Sequence, residues 1–274
     1  MGASMAGGEI LSELRSEGMD RIAPTLRPGG KPVMKQRWHD LLFLHWEVDP
    51  EALARHLPPG ISVDTFEGKA YVGLVPFGMT DVRPVWAPSF PPLSNFLEIN
   101  VRTYVHRDGR DPGVWFFSLD AANPVAVQIA RSKWSLPYFN GRMSLERKPA
   151  VEAMGSEPRT LGENTIFYQS ERKGSGLASA MCRVEYTPLA AVQPAVPGTL
   201  EHFLVERYIL YAYRKERLWS GQVHHAAYPI QQAVVHALEE TLVAAAGVVH
   251  GNESPLAHYA REVVVDIYPL KPIL

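Results

Sequence analysis

Residues 96–105 carry an alternation of side chains that could support chemistry. Every second position is aromatic, charged or an amide, and the set comprises Phe96, Glu98, Asn100, Arg102 and Tyr104. The positions between them are mostly apolar, so a β-strand would bury one face and group the polar set on the other. Aromatic rings around a carboxylate, an amide and a guanidinium favour a cavity that holds a polar ligand. An exposed strand with an ordinary glutamate–arginine pair is the alternative.

A second candidate stretch is residues 130–139, where two cations, three aromatic rings and a proline follow an apolar run. Residues 125–134 are predicted to form a strand, and the apolar row on one of its faces ends in Arg131. A buried guanidinium is costly unless it is paired, so Arg131 is expected to meet a carboxylate, either Glu98 or that of a ligand. Lys133 is expected to reach solvent at the end of the strand.

The sequence gives little support for a metal site or a reactive thiol. The ten histidines form no H-E-x-x-H motif, and His224 and His225 are adjacent on an extended segment, which points their rings to opposite faces. We therefore expect no metal site, although His225 could face the pocket or serve as a structural histidine. Cys182 is the only cysteine, which excludes an internal disulfide, and its apolar neighbours predict a buried strand residue.

Composition limits the partners. The chain has 274 residues, 46% of them hydrophobic, and 27 Lys and Arg against 29 Asp and Glu give a net charge of -2. This balance provides no basic field for nucleic acid or an anionic membrane surface. The first residues lack the pattern of a signal peptide, and no apolar run approaches the ~18 residues of a membrane span. We expect a soluble, cytoplasmic protein.

The elements that would position these residues are mostly strands. We expect residues 1–31 to form a mobile N-terminal arm and residues 32–274 a single domain. The predicted strands are residues 38–48, 70–75, 96–105, 114–119, 125–134, 165–170, 180–186 and 263–268. The glycine-rich residues 174–176 should join two of these strands in a hairpin. Short turns between consecutive strands indicate an antiparallel sheet or barrel.

Helices are expected in three places. Asp49 and Pro50 have the types of a helix N-cap and first residue, and Pro58 and Gly60 follow as stop signals. Apolar residues recur at helical spacing in residues 200–211 and again in residues 233–245, with an extended segment between them. Helices that follow a run of strands predict an α+β protein, and this helical third leaves room for a homo-oligomer.

Seven motifs occur in a distinctive order along the chain. They are residues 48–53 (VDPEAL), 57–60 (LPPG), 96–105 (FLEINVRTYV), 113–120 (GVWFFSLD), 136–139 (LPYF), 225–229 (HAAYP) and 263–266 (VVVD). Together they resemble the YqjF-like family of uncharacterised bacterial proteins, from about residue 35 to the C-terminus. That family is similar to the acetoacetate decarboxylase-like superfamily, which implies a cone-shaped antiparallel β-barrel with flanking helices and an active site inside.

The resemblance also implies what is missing. The decarboxylases carry a G-R-E-x-W-G-x-P-K-K segment whose first lysine forms a Schiff base, while the second depresses its pKa. In this alignment the arginine falls on Arg131, the tryptophan on Trp134, and the two lysines on Tyr138 and Phe139. Neither a phenol nor a phenyl group can form an imine. A Schiff-base decarboxylase is therefore disfavoured, and Glu98 matches the pocket glutamate of the decarboxylases.

The favoured function is an enzyme, a lyase or isomerase, acting on a small carbonyl or carboxylate metabolite without a cofactor. Glu98 and Tyr138 would be the acid–base groups, and the substrate-binding residues would be Arg131, Arg102, Asn100, Phe96, Phe139, Trp134 and His225. A non-catalytic binding or sensing protein is the main alternative. A displaced Schiff-base Lys133 and a purely oligomer-building role are two further hypotheses.

Overall fold

A computed structural model describes residues 18–148, 165–174, 180–189 and 191–273. The described strands are β1 Met34–Val48, β2 Ser62–Val63, β3 Ala70–Pro84, β4 Phe96–Arg107, β5 Arg110–Ala121, β6 Tyr138–Lys148, β7 Thr165–Arg172, β8 Met181–Pro188, β9 Gln193–Pro194, β10 Ile209–Arg214, β11 Arg217–His224, β12 Pro229–Glu240, β13 Leu256–Ile267 and β14 Lys271–Pro272. The α-helices are α1 Pro50–Ala54, α2 Pro91–Ser94, α3 Pro124–Trp134, α4 Leu200–Val205 and α5 Leu242–Ala245, and a 3-10 helix spans Ala23–Thr25. The protein is therefore mostly sheet with few, short helices.

The strands pair into one sheet in the order β14-β11-β10-β5-β6-β7-β8-β12-β13-β1-β3-β4-β2, and β9 pairs with β12. Two further pairings, β4 with β5 and β11 with β13, make the strand order return on itself. Most neighbours are antiparallel, as the short turns predict, but β5 runs parallel to both β6 and β10. These parallel pairs depart from the all-antiparallel expectation, and the barrel and cone shapes stay predictions.

Strand β4 has the two faces that its alternation predicts. Ile99 and Val101 are 1% and 0% exposed and belong to an apolar core that includes Leu44 and Leu74 from β1 and β3. The register sets Glu98 opposite Phe77 of β3 and Ala121 of β5, so β4 lies between these two strands. The prediction of a strand at residues 96–105 is confirmed.

The predicted strand at residues 125–134 is wrong, because these residues form helix α3. Asn123 caps the helix, its side-chain oxygen accepting from the backbone N–H groups of Val125 and Ala126, and Pro124 occupies the first turn. The helix ends at Ser135, which adopts a left-handed conformation with φ 52°. Val127 is buried, while Arg131 and Lys133 in the last turn are exposed.

The two long C-terminal helices are also wrong. Helix α4 covers only the first half of residues 200–211, and β10 begins at Ile209. Most of the second predicted helix is β12, which pairs antiparallel with β8 from Ala233 to Glu240. Apolar residues at positions 233, 234, 237 and 238 match a helical spacing by chance. The strand that pairs with β12 is distant in sequence, so local spacing cannot reveal it. The helical part of the α+β prediction is thus much reduced.

The predicted hairpin of residues 165–170 and 180–186 is confirmed, since β7 and β8 pair antiparallel with Ser170 opposite Cys182. Residues 175–176 of its connecting turn lie outside the described residues. The prediction that Cys182 is a buried strand residue is also confirmed, with 0% of the side chain exposed.

The described part of the expected N-terminal arm, residues 18–31, contacts the sheet. Arg21 binds Asp64 at 2.5 Å, and Arg27 binds Asp266 at 2.7 Å. Residues 1–17 lie outside the described residues, so the mobile arm and its boundary at residue 31 stay predictions. Within the described ranges, no helix has the length and apolar character needed to cross a membrane.

Candidate functional site

A cavity of about 460 Å³ lies beside the polar face of β4. Its walls come from β1, β3, β5 and β6, from helices α2 and α3, and from the segment that joins α4 to β10. Apolar and aromatic side chains dominate the lining, including Trp38, Phe43, Phe77 and Phe116. A mostly apolar cavity with a few convergent polar groups is the usual form of a small-molecule site.

The polar side chains of this lining include Glu98, Asn100, Arg102, Tyr138 and Arg207, which could act on a ligand. The first three come from alternate positions of β4 and therefore project into the same space. Glu98, Asn100 and Arg102 are 3%, 5% and 8% exposed. Buried polar groups are normally satisfied by partners, so their bonding decides what the cavity can bind.

Glu98 forms a carboxyl–phenol pair with Tyr138, whose hydroxyl donates to Glu98 Oε2 at 2.9 Å. Burial raises the pKa of Glu98 to about 8, the hydrogen bond from Tyr138 opposes this rise, and the charge of Asp120 adds to it. Burial and the neighbouring Glu98 likewise raise the pKa of Tyr138 well above its usual value. At neutral pH the pair therefore holds a protonated carboxyl group, which can serve as a general acid.

The chain after α3 places Tyr138 against Glu98. Ser135 reverses the backbone at the helix end, and β6 then starts at Tyr138, parallel to β5, with Leu119 opposite. Arg131 Nε donates to the backbone oxygen of Tyr138 at 2.6 Å and holds the end of the helix against the strand. The Tyr138 side chain consequently reaches the face of β4 that carries Glu98.

Arg102 is a buried guanidinium without an anionic partner among the described residues. Its Nη2 donates to the backbone oxygen of Leu204 at 3.2 Å and lies 3.5 Å from the hydroxyl of Tyr104. The guanidinium carbon lies 5.4 Å from the centre of the Phe43 ring, and Nε has no hydrogen-bond partner. Burying an uncompensated cation is costly, so this position is suited to an anion supplied from outside the chain.

A second guanidinium, Arg207, lies nearby. Both Arg102 and Arg207 lie over the ring of Tyr104, at 5.7 and 5.0 Å from its centre. Arg207 donates from Nη1 to Asp64 at 2.8 Å, while its Nη2 has no partner. Burial lowers the pKa of Arg207 to about 10, and the charge of Asp64 partly offsets this effect. Asp64 also binds Arg21, so one carboxylate neutralises two cations.

The structure brings six of the sequence-predicted site residues to this cavity, namely Phe96, Glu98, Asn100, Arg102, Trp134 and Tyr138. Three others lie elsewhere. Arg131 is exposed on α3 and forms no ion pair with Glu98 within the described residues, so the predicted pairing of the two is wrong, because the helix turns Arg131 away. Phe139 packs under Arg172, with 4.0 Å between the guanidinium carbon and the ring centre.

His225 lies behind the cavity wall rather than in it. Its ring stacks on Tyr208 with 4.4 Å between ring centres, and Tyr208 is a lining residue. Nδ1 lies 2.7 Å from the backbone oxygen of Ala226, and burial lowers the pKa of His225 to about 4. The imidazole is thus buried and packed on a tyrosine, its Nε2 has no hydrogen-bond partner among the described residues, and the choice between a structural and a pocket-facing histidine stays a prediction.

Sequence reasoning missed Arg207 and Tyr208, which both line the cavity. The helical spacing of residues 200–211 predicts a helix and assigns these two residues no role in a site. The overlooked signal is the charge of Arg207 between Phe203 and Tyr211 in an otherwise apolar segment, because a buried cation demands a partner wherever it occurs.

No lysine is positioned for imine chemistry. All eight lysines of the chain lie among the described residues, and none lines the cavity. Lys133, the candidate for a displaced Schiff base, is exposed and borders a separate depression with Trp134 and Trp219. The described residues also contain no cluster of three or more histidine, cysteine, aspartate or glutamate side chains that could hold a metal.

A larger, more open cleft of about 690 Å³ lies between β12 and residues 250–258. Its most notable side chain, His250, is already engaged, since it stacks on Trp46 at 4.3 Å and lies 3.0 Å from Glu240. The smaller cavity combines an unpaired buried cation with a protonated carboxyl group and is therefore the better candidate site.

Comparison with known proteins agrees with the fold. The sequence model of the family DUF2071, described as "Uncharacterized conserved protein", matches residues 35–264. The uncharacterized protein YqjF of Bacillus subtilis is 34% identical over 244 residues, which cover 89% of this chain and 94% of YqjF.

Among solved structures, similarity at low sequence identity includes enzymes. The enduracididine biosynthesis enzyme MppR complexed with pyruvate matches with a TM-score of 0.59 and 14% identity over 89% of this chain and 91% of MppR. An acetoacetate decarboxylase from Legionella pneumophila also gives a TM-score of 0.59 and 14% identity, over 91% of this chain and 90% of the other. The likeness shows an acetoacetate decarboxylase-like fold.

Proposed function

Since this chain belongs to the DUF2071 family of uncharacterized conserved proteins, we propose that it is an enzyme that moves a proton on a carbonyl compound bearing a carboxylate. The reaction would be that of a lyase or isomerase, and it would proceed without an imine. Glu98 and Tyr138 would act on the carbonyl end, and Arg102 would bind the carboxylate. This assignment transfers the anion-binding role from Arg131 to Arg102, whose guanidinium lines the cavity.

The observation that carries the proposal is that the two carboxyl oxygens of Glu98 differ in their hydrogen bonding. Tyr138 donates to Oε2, whereas no described residue bonds Oε1. With a pKa of about 8, Glu98 is mostly protonated at neutral pH but also reaches its carboxylate form, which would remove the proton from the carbon next to the carbonyl; the carboxylic acid so formed would return a proton to the enolate carbon or oxygen. The carboxylate form keeps the hydrogen bond from Tyr138, which stabilises the charge until Glu98 takes the proton.

The Arg102 position supports an acidic substrate. A carboxylate beside its unpartnered Nε would compensate the buried charge and accept a charge-assisted hydrogen bond. A structural neighbour, MppR, is complexed with pyruvate, which is an oxo acid. That complex favours the same general class of ligand for the present cavity, and the absence of a cavity lysine favours direct acid–base chemistry over an imine.

The proposal can be tested by proton exchange in deuterated water, followed by NMR. The probes are oxo acids in which the carboxylate and a methyl ketone are increasingly far apart: acetoacetate, levulinate, 7-oxooctanoate and 10-oxoundecanoate. We expect the wild type to accelerate exchange next to the ketone of at least one probe. Glu98→Gln should lower that rate by about 100-fold or more, since a positioned acid or base contributes 10²–10⁴.

Glu51→Gln is the matched control, because Glu51 is exposed on α1 and is not among the lining residues of the cavity. Probe binding is measured in parallel as a rise in melting temperature. Binding without exchange would make the protein a binding or sensing protein instead of an enzyme. Equal exchange by wild type and Glu98→Gln would remove Glu98 from the mechanism, and an adduct trapped by borohydride would restore the imine that we exclude.

A further inference from the structure

The polar and apolar parts of the cavity are separated along its length. At the inner end, Arg102 and Arg207 are 8% and 7% exposed. At the outer end the exposed lining residues are apolar: Phe90, Leu93, Val125 and Ile129, which are 60%, 47%, 49% and 51% exposed. Arg83 also borders this outer end, but it pairs with Asp81. An occupant would therefore meet cations inside and hydrocarbon at the mouth.

The anion-binding group and the acid–base pair are also far apart. Glu98 and Arg102 are four residues apart on β4, which corresponds to roughly 13 Å between their Cα atoms at strand spacing. Neither side chain is free to close this gap. Arg102 is anchored to Leu204 and Tyr104, and Glu98 is bonded to Tyr138. A carboxylate on Arg102 would thus lie most of that distance from a carbonyl group on Glu98.

The volume agrees with a ligand of that length. A cavity of about 460 Å³ falls in the range of roughly 300–1,000 Å³ that holds drug-sized molecules, far above the needs of a three-carbon oxo acid. Asn100 lies between the two polar positions, and its buried Oδ1 has no partner. Asn100 is thus a polar residue between Arg102 and Glu98, and its Oδ1 would accept a hydrogen bond from a hydroxyl or N–H group part-way along the ligand.

We infer that the substrate is a long, apolar-bodied acid whose carboxylate binds Arg102 at the inner end and whose carbonyl group lies remote from it, beside Glu98. This inference rests on the proposed function and deepens it by naming the substrate class. Hydrocarbon links the two polar groups, and any further tail extends past Phe90 and Ile129 to the mouth. A short oxo acid cannot engage Arg102 and Glu98 at once.

Calorimetric titration of the full chain with acetoacetate, levulinate, 7-oxooctanoate and 10-oxoundecanoate tests this inference. Each methylene that enters the apolar section should tighten binding by about 3- to 4-fold, the value expected for burial of one CH₂, until the length matches the site. Deuterium exchange should appear only with the long members. 2-Nonanone, a neutral methyl ketone, should bind at least about tenfold more weakly than 7-oxooctanoate, since it lacks the carboxylate.

Two pairs of variants place the ligand in the cavity. Arg102→Met should weaken binding of the long acids at least about tenfold, whereas Arg107→Met should not, because Arg107 ends the same strand near the surface and pairs with Asp111. Ala126→Phe fills the mouth and should shift the preferred acid to a shorter member. Gln128→Phe is its control, exposed on the same helix but absent from the lining.

The outcomes separate the inference from the proposed function. If acetoacetate or levulinate binds as tightly as the long acids and exchanges with dependence on both Glu98 and Arg102, the substrate class is wrong while the proposed function stands. If long acids bind but Arg102→Met has no effect, the anion lies elsewhere and the inference is overturned. If binding follows the predicted length and no probe exchanges, the ligand class holds and the catalytic proposal fails.

Discussion

Two buried glutamate–tyrosine pairs of the described residues differ in what surrounds them. In one, Tyr138 donates to Glu98 at 2.9 Å; in the other, Tyr208 donates to Glu206 at 2.5 Å. Burial raises the pKa of both carboxyl groups. The second oxygen of Glu206, however, accepts the backbone N–H of Tyr228 at 2.8 Å, while no described residue bonds the second oxygen of Glu98.

This difference separates structural from chemical use of the same groups. Both oxygens of Glu206 are occupied, and the pair holds Tyr208 and Tyr228 against the ring of His225. Glu98 lines the cavity with one oxygen still available, whereas Glu206 is not among the lining residues. A raised pKa alone is therefore a poor guide to an active site. An unoccupied hydrogen-bonding position next to a cavity is the more discriminating feature.

The largest predicted effect concerns stability against pH. The native pKa of Glu98 is about 8 and its ordinary value is 4.5, so the native state binds the proton more tightly than the unfolded chain. The stabilisation is fully present below pH 4.5 and is lost as pH rises through 8. Glu98→Gln does not titrate, so relative to wild type it should gain on the order of 4 kcal/mol in unfolding free energy between pH 4.5 and pH 9.

Urea unfolding at pH 4.5, 7 and 9 measures this gain, and Glu206→Gln provides the comparison. Its gain should have the same sign but a smaller size, because the two hydrogen bonds to Glu206 lower its pKa and offset the effect of burial. If the stability of Glu98→Gln parallels that of wild type across this range, Glu98 is not protonated at neutral pH, and its role as a general acid is lost.

A smaller effect should distinguish the two phenols. The hydrogen bond from Tyr138 lowers the pKa of Glu98, so Tyr138→Phe should raise that pKa further. Tyr208→Phe should raise the pKa of Glu206 and leave Glu98 unchanged, because each phenol bonds only its own carboxyl group. NMR titration of carboxyl-labelled glutamate resolves the two midpoints. Each variant should cost about 1 kcal/mol of stability for the lost hydrogen bond.

The same change in the pKa of Glu98 in both tyrosine variants would contradict this distinction. If Tyr208→Phe shifts the midpoint of Glu98 as much as Tyr138→Phe does, the two pairs titrate as one coupled unit. Proton exchange of a bound probe gives a second readout, since only Tyr138→Phe should move the pH at which exchange declines.

The sequence predicted the part of the site that lies on β4. Its period of two brings Phe96, Glu98, Asn100 and Arg102 to one face whichever strands become its neighbours, and the buried face fixes that orientation. The assignment of Tyr138 to the same site followed from family resemblance, not from local pattern, and its hydrogen bond to Glu98 was not predicted. Contacts such as that between Arg207 and Asp64 join residues 143 positions apart, and no local period encodes them.

The prediction for residues 125–134 was wrong because it assumed the two-residue period of a strand instead of the 3.6-residue period of a helix. Residues 125–134 contain β-branched Val125, Val127 and Ile129, which are typical of strands. Asn123 and Pro124 directly before them carry the opposite signal, an N-cap followed by the first helical residue. An alternating pattern put Arg131 with the aliphatic row, whereas the helix carries it to the exposed side. The strand prediction therefore assigned anion binding to Arg131, which the helix places outside the cavity.

The smallest predicted effect tests whether the anion binds Arg102 rather than Arg131, inside the cavity that contains the Glu98–Tyr138 pair. Arg131 touches the Glu98–Tyr138 pair only through the backbone oxygen of Tyr138, and substitutions of exposed side chains usually change stability by less than about 0.5 kcal/mol. Arg131→Ala should therefore change both stability and binding of 7-oxooctanoate by less than about twofold in equilibrium constant, measured by thermal shift beside Arg102→Met. Loss of the ligand-induced shift in Arg131→Ala alone would return the anion to the outer surface. Loss in Arg102→Met alone places it inside, within reach of a ligand that also meets Glu98.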